Sequence, residues 1–188
     1  MFDADAYLLR EATGTSRVVE SARAVASALE RFHIPHLVVG GLAVQEHGYP
    51  RTTIDADIVV PDVLEAAGFA TADVAGSLVR MPEAQDRLRD RRTGVVIDLL
   101  PAGKVVRPGN KVPFPQPTIA SDELQIVSLP QLIALKLDSW AGSPARRLRD
   151  KSDVVELIIR RRLPRDFEID FVVRGLYQQA WDELRAES

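Results

Sequence analysis

Apolar residues recur at helical spacing through residues 17–32, where Val18, Ala22, Val25, Leu29 and Phe32 share one face, and this predicts an amphipathic helix. After Pro35 the period changes. The short run Leu37, Val38, Val39 predicts a strand, and Gly40 and Gly41 end it and open a short helix toward Gly48. Residues 54–60, IDADIVV, alternate apolar with acidic side chains, the pattern of a strand with two unlike faces, which Pro61 stops. Residues 62–67 predict a short helix, and residues 68–83 predict only loop or weak strand. Two runs flank the polar turn at residues 91–94, so a hairpin is expected, with residues 95–100 as its second strand.

Farther on, the proline-rich residues 108–117 predict a surface loop, and residues 124–127 one more strand. From Pro130 the period is helical again, with Leu132, Ile133, Lys136 and Leu137 forming a stripe that contains one lysine. Residues 142–144 break the chain, and two helices follow, near residues 145–162 and 166–186; Phe167, Phe171 and Trp181 lie on or near one face of the last. The expected fold class is therefore α+β: a mixed sheet flanked by helices over residues 1–128, and a helical C-terminal part over residues 129–188 packed on it.

Composition narrows what such a fold does. Hydrophobic residues make up 46% of the 188-residue chain, which is globular composition. No apolar run approaches the ~20 residues that span a bilayer, and the acidic N-terminal stretch MFDADAYLLREATG lacks the regions of a signal peptide. A soluble, cytoplasmic protein without membrane partners is expected. There is no cysteine and there are only three histidines, so a bound metal would rest on carboxylates, which favours a hard ion. A net charge of −3 supplies no global field for nucleic acid. Local basic clusters remain at residues 87–92, 146–151 and 160–162, each but the second most simply a solvated face.

The segment LVVGGLAVQEHGYPRTTIDADIVVP carries the chemistry. Asp55 and Asp57 stand two apart on a strand, so both carboxylates leave one face, about 6–7 Å apart at Cα. On a strand otherwise rich in isoleucine and valine they repel each other and lose hydration, a penalty that a divalent cation removes. Asp98, in VVIDLLP, is a lone carboxylate in a second apolar strand; if the strands are neighbours, three carboxylates converge and suit magnesium. The competing reading makes Asp55 and Asp57 the solvated face of an edge strand, which leaves the glycine pair before them unexplained. Gly40 and Gly41, between a strand and a helix, present backbone N–H groups that attract phosphate.

Together, the Gly-Gly pair, HGYPRTTIDADIVV and the later VVIDLL resemble the nucleotidyltransferase superfamily of polymerase-beta-like folds, and most of all its small prokaryotic branch that includes the AbiEii-type toxins. LPQLIALKLDSWAGSPARRLRDKSDVVELI resembles the helical tail of that family, so the likeness covers roughly residues 37–158. The resemblance implies that Asp55 and Asp57 hold Mg2+ or Mn2+, and that Asp98 is the third carboxylate, a ligand or the base for the acceptor hydroxyl. It makes Gly40 and Gly41 the phosphate turn and Lys136 the lysine on the triphosphate. Arg51 and Thr53 fall in the polar approach to the aspartates, and Arg149, Asp150 and Asp153 match the tail pattern. Many members follow the glycines with a serine that contacts phosphate; here Leu42 stands in that place, which either weakens triphosphate binding or moves the contact to Thr52 or Thr53.

The implied reaction moves an NMP from an NTP, such as ATP, to a hydroxyl of tRNA, a protein or a small molecule. Arg146, Arg147 and Arg149 are expected to contact a phosphate-rich acceptor. The rival expectation is a binding module that kept the fold without the chemistry, as a toxin–antitoxin-type partner; loss of an aspartate would favour it, and all three are present. Residue by residue there are blander roles too. Lys136 snorkels from the core edge, Asp150 and Asp153 are surface acids paired with Arg146, Arg147 or Arg149, His47 ends a helix, His33 and His36 lie at the surface, and Trp140 and Trp181 anchor helix packing.

Overall fold

The computed structural model describes residues 15–72, 76–119 and 124–186; the acidic N-terminal stretch and part of the 68–83 segment lie outside them. The first helix, α1 (Thr15–Glu30), buries Val18, Ala22, Val25 and Leu29, the stripe that the spacing predicts. It stops short of Phe32 because His33 takes a left-handed φ of 55° and its N–H reaches the Glu30 carbonyl. Phe32 is left 43% exposed, stacked on Phe69 at 4.4 Å.

Then come β1 (Leu37–Val39), α2 (Gly40–Glu46), β2 (Asp55–Val60), α3 (Val63–Ala70), β3 (Leu78–Met81), β4 (Ala84–Asp90) and β5 (Val96–Pro101). The Asp62 carboxylate caps α3 by accepting from the Glu65 N–H at 2.9 Å. The sheet order is β1-β2-β5-β4-β3. All pairs are antiparallel except β2 and β5, which run parallel, so the sheet is mixed. The hairpin forms as expected, with Gly94 at a φ of 76° in its turn and the buried Asp90 carboxylate bonded to Ser21 of α1 and to the Arg92 N–H.

One open expectation is resolved, and two others need correction. Of loop and weak strand, residues 78–81 take the strand, β3, whose pairing with β4 supplies the order that its own sequence lacks. Residues 124–127 reduce to a single parallel bridge, Val38 with Ile126, because β1 offers only three residues to pair with. Likewise His36 is fully buried rather than a surface residue, its Nδ1 near the Ile34 carbonyl.

Alternation divides the sheet. Ala56, Ile58, Val60, Ile97 and Leu99 face a core shared with α1 and α3. Leu37, Val39 and Val59 face the opposite core, shared with the C-terminal helices α4 (Leu129–Gly142), α5 (Leu148–Arg161) and α6 (Arg174–Ala186). Helix α6 begins later than its pattern predicts. The chain first turns through residues 164–173, where the Tyr177 hydroxyl and Trp181 Nε1 donate to the Pro164 and Leu163 carbonyls at 2.8 and 3.1 Å, and Phe171 stays 80% exposed. The acidic positions of β2 and β5 therefore emerge on the face that the C-terminal helices cover.

Candidate active site

Asp57 pairs in register with Asp98 across the parallel β2–β5 ladder, and Asp55 lies one pleat away on the same face. All three line a cleft of about 840 Å³ between the sheet and the C-terminal helices. Asp57 lies at its floor. Burial, then the charges of Asp55 and Asp98, push its carboxyl up to about 6, against the pull of Lys136 and Arg107. Asp98 is also raised, by burial first, although Arg87 opposes this through charge and a hydrogen bond. Arg87 is the cross-strand partner of Asp98 on β4, and its Nε lies 2.7 Å from Asp98 Oδ1. Asp55 accepts a hydrogen bond from the Thr53 hydroxyl at 3.2 Å.

The glycine turn closes one end of the cleft. Gly40 has a φ of 66°, and a Cβ there would stand 1.8 Å from Asp57 Oδ2, so both conformation and space require glycine. Gly41 is different: a Cβ would stand 2.4 Å from Thr53 Oγ1 and 2.8 Å from Arg51 Nη2. The room beside Gly41 is taken by the protein's own side chains. Leu42, in the place of the family's serine, is 1% exposed and packs into the core beneath the turn, not toward the cleft. Leu42→Ser is accordingly expected to lose about 3 kcal/mol of stability, through cavity and buried hydroxyl together. Urea unfolding measures the loss, and an NTP titration of the same protein should show no gain in affinity.

On the helical wall Lys136 is buried and doubly paired, its Nζ 2.8 Å from Asp150 Oδ1 and 2.8 Å from Asp153 Oδ2. Asp153, 1% exposed, also meets Arg51 Nε at 3.0 Å. The Ser139 hydroxyl donates to Asp150 Oδ2 at 2.8 Å. Burial pushes Asp150 up, but Lys136, Ser139 and Arg147 outweigh it and hold the carboxyl below the ordinary range. Asp150 and Asp153 are thus interior acids, not the surface pairs that their charged neighbourhood suggests. The chain Arg51–Asp153–Lys136–Asp150 bolts α4 and α5 to the segment leading into β2. Arg149 is exposed and lines the cleft mouth with Arg146. His47 caps the end of α2, with Nε2 2.7 Å from the Val127 carbonyl.

No known family profile matches the chain, and no curated protein sequence matches it. Among solved structures, it is similar to the solution structure of the antibiotic-resistance factor ANT(2'')-Ia, a nucleotidyltransferase, with a TM-score of 0.53 and 12% identity over 93% of this chain and 95% of that one. The fold is nucleotidyltransferase-like. At that identity the likeness is one of fold, and it does not confirm an AbiEii-type branch.

Within this nucleotidyltransferase-like fold, two cleft residues escape sequence reasoning. Arg87 was legible in principle: counting back from the hairpin turn places it opposite Asp98. Arg107 was not, because it sits in an irregular segment whose path no periodicity predicts. Among the described residues, no helix is long and apolar enough to cross a membrane.

Proposed function

We propose that this protein transfers a nucleoside monophosphate from an NTP to an acceptor hydroxyl, with Asp55, Asp57 and Asp98 at the reacting centre. The supporting observation is the in-register pair Asp57–Asp98 with Asp55 on the same face, three carboxylates among which burial first, then the charges of Asp55 and Asp98, raise the Asp57 carboxyl to about 6. An all-carboxylate donor set fits Mg2+ or Mn2+, and a divalent ion there would stabilise charge on the transferring phosphoryl group. Among the described residues no three acidic or imidazole groups are already gathered as a metal cage, and Asp98 is paired with Arg87.

The acceptor oxygen forms its bond to the α-phosphorus as the bond to the β-phosphate's bridging oxygen breaks, and pyrophosphate leaves with that electron pair. Asp98 takes the hydroxyl proton. Gly40 keeps the turn against Asp57, and Thr53 orients Asp55. Lys136 holds the helical wall in place through Asp150 and Asp153 rather than reaching for phosphate. A hydroxyl of tRNA or of a protein is the acceptor class that the family resemblance favours.

The Arg87–Asp98 ion pair supports a second reading, a binding module whose third carboxylate is permanently neutralised. Incubation with NTPs labelled at the α-phosphate, divalent ion and a cell extract separates the two. We expect label in a macromolecular product from α- but not γ-labelled NTP. No labelled product with any of the four bases, in magnesium or manganese, would leave the binding module standing.

A further inference from the structure

The cleft holds more arginine than its ion pairs consume. Arg51 is committed to Asp153 at 3.0 Å, Arg87 to Asp98 at 2.7 Å, and Lys136 to Asp150 and Asp153 at 2.8 Å each. Arg107 has a neutral partner: its Nη1 donates to the Ser139 hydroxyl at 3.0 Å. Arg147 lies 3.9 Å from Asp150 Oδ2, an oxygen that already accepts from Ser139. Both residues line the cleft that Asp55, Asp57 and Asp98 also line. Burial and the nearby charge of Arg147 together lower the Arg107 pKa, so the two cations stand close enough to repel.

The placement of Arg107 is built, not incidental. The buried Asp138 carboxylate accepts the Lys111 and Val112 N–H groups at 3.0 Å, and the Asn110 N–H closes a turn on the Arg107 carbonyl at 3.2 Å. These bonds fix the loop to α4 directly below Arg107, whose side chain then reaches Ser139 on the next residue of that helix. Two neighbouring guanidiniums, one bonded to a neutral hydroxyl and the other only loosely to a carboxylate that Lys136 and Ser139 already hold, gain most from a multivalent anion that both forks can grip.

We infer that Arg107 and Arg147 form a pyrophosphate subsite on the helical wall, which grips the β- and γ-phosphates of the nucleotide and the pyrophosphate it leaves behind. This rests on the nucleotidyl-transfer reading for the identity of the ligand, but the anion subsite itself does not need that reading. It assigns phosphate binding to residues outside both the glycine turn and Lys136.

Isothermal titration of the full chain with inorganic pyrophosphate, without metal, is the direct test. Wild type should bind pyrophosphate more tightly than orthophosphate. Arg107→Gln and Arg147→Gln should each weaken it about tenfold, the loss of one charge-assisted contact. Arg107→Lys, which keeps the charge and the loop but not the fork, should fall between. Arg91→Gln, the same charge change in the hairpin turn, should stay within about twofold of wild type. A second titration uses ATP and AMP with magnesium; ATP should weaken in both glutamine variants and AMP should not.

Unchanged pyrophosphate affinity in the folded variants, or none in wild type, overturns the subsite. Loss of pyrophosphate binding with ATP affinity intact overturns its assignment to the nucleotide, and points to a phosphate of the acceptor. If pyrophosphate binding depends on both arginines while wild type neither binds ATP nor transfers label, the anion subsite stands and the transferase reading falls.

Discussion

Asp57→Asn is expected to reduce nucleotidyl transfer by about 10³-fold, the scale on which one electrostatic group of an active site acts, and at the same time to make the metal-free protein more stable. The second effect follows from the first residue's environment. Burial, Asp55 and Asp98 raise the Asp57 carboxyl from 3.8 to about 6 in the folded chain. A carboxyl with a raised folded pKa binds more protons folded than unfolded, so stability falls as pH rises from the unfolded value through the folded one. Above about pH 6 the ionised group costs at most about 3 kcal/mol, since its open face to the cleft screens part of the charge. Asparagine removes that cost. Thermal unfolding without metal should show the variant ahead of wild type at pH 8 and level with it at pH 4. With magnesium and NTP the order should reverse, because only wild type gains from the cation. A variant that melts with wild type at pH 8, and responds equally to magnesium and NTP, would mean that the three carboxylates do not act as a unit.

Lys136→Met should produce the largest loss of stability, about 3–5 kcal/mol, because it leaves two interior carboxylates facing each other without their shared cation. Asp153 is 1% exposed and Asp150 is held below its ordinary pKa by that lysine. A depressed folded pKa contributes stability above the unfolded value and loses it as pH falls through the folded one. The Lys136→Met penalty should therefore be greatest near neutral pH and fade under acid. The double variant Lys136→Met/Asp153→Asn should recover part of it, since the pair is coupled. Urea unfolding at pH 7.5 and pH 4 checks all three statements. If Lys136 served phosphate alone, its loss would change stability by less than about 1 kcal/mol and show only in NTP affinity.

Much of the sheet was legible. Alternation across IDADIVV puts Asp55 and Asp57 on one face, and the hairpin turn at residues 91–94 orders β4 and β5. Residues 78–81 were legible only as loop or weak strand, because LVRM lacks a pattern of its own and becomes a strand by pairing with β4. The same limit applies to charge. Lys136 in an apolar stripe reads equally as a snorkelling or a ligand-binding lysine, and only the approach of α5 to α4 supplies Asp150 and Asp153.

By itself the sequence determined the local geometry: a glycine turn followed by two carboxylates on one strand face, a third carboxylate in a later apolar strand, and a helical tail. These are properties of period and conformation within one segment, and they survive whatever the segment packs against. The tertiary structure decided that β2 lies parallel beside β5 in the register that sets Asp57 against Asp98. It also decided that Leu42 points into the core, that Gly40 is required by the Asp57 carboxylate, and that Arg107 stands in the cleft. Strand register between distant segments, and the burial that fixes which charges pair, depend on surfaces meeting in space, which no single stretch of chain encodes.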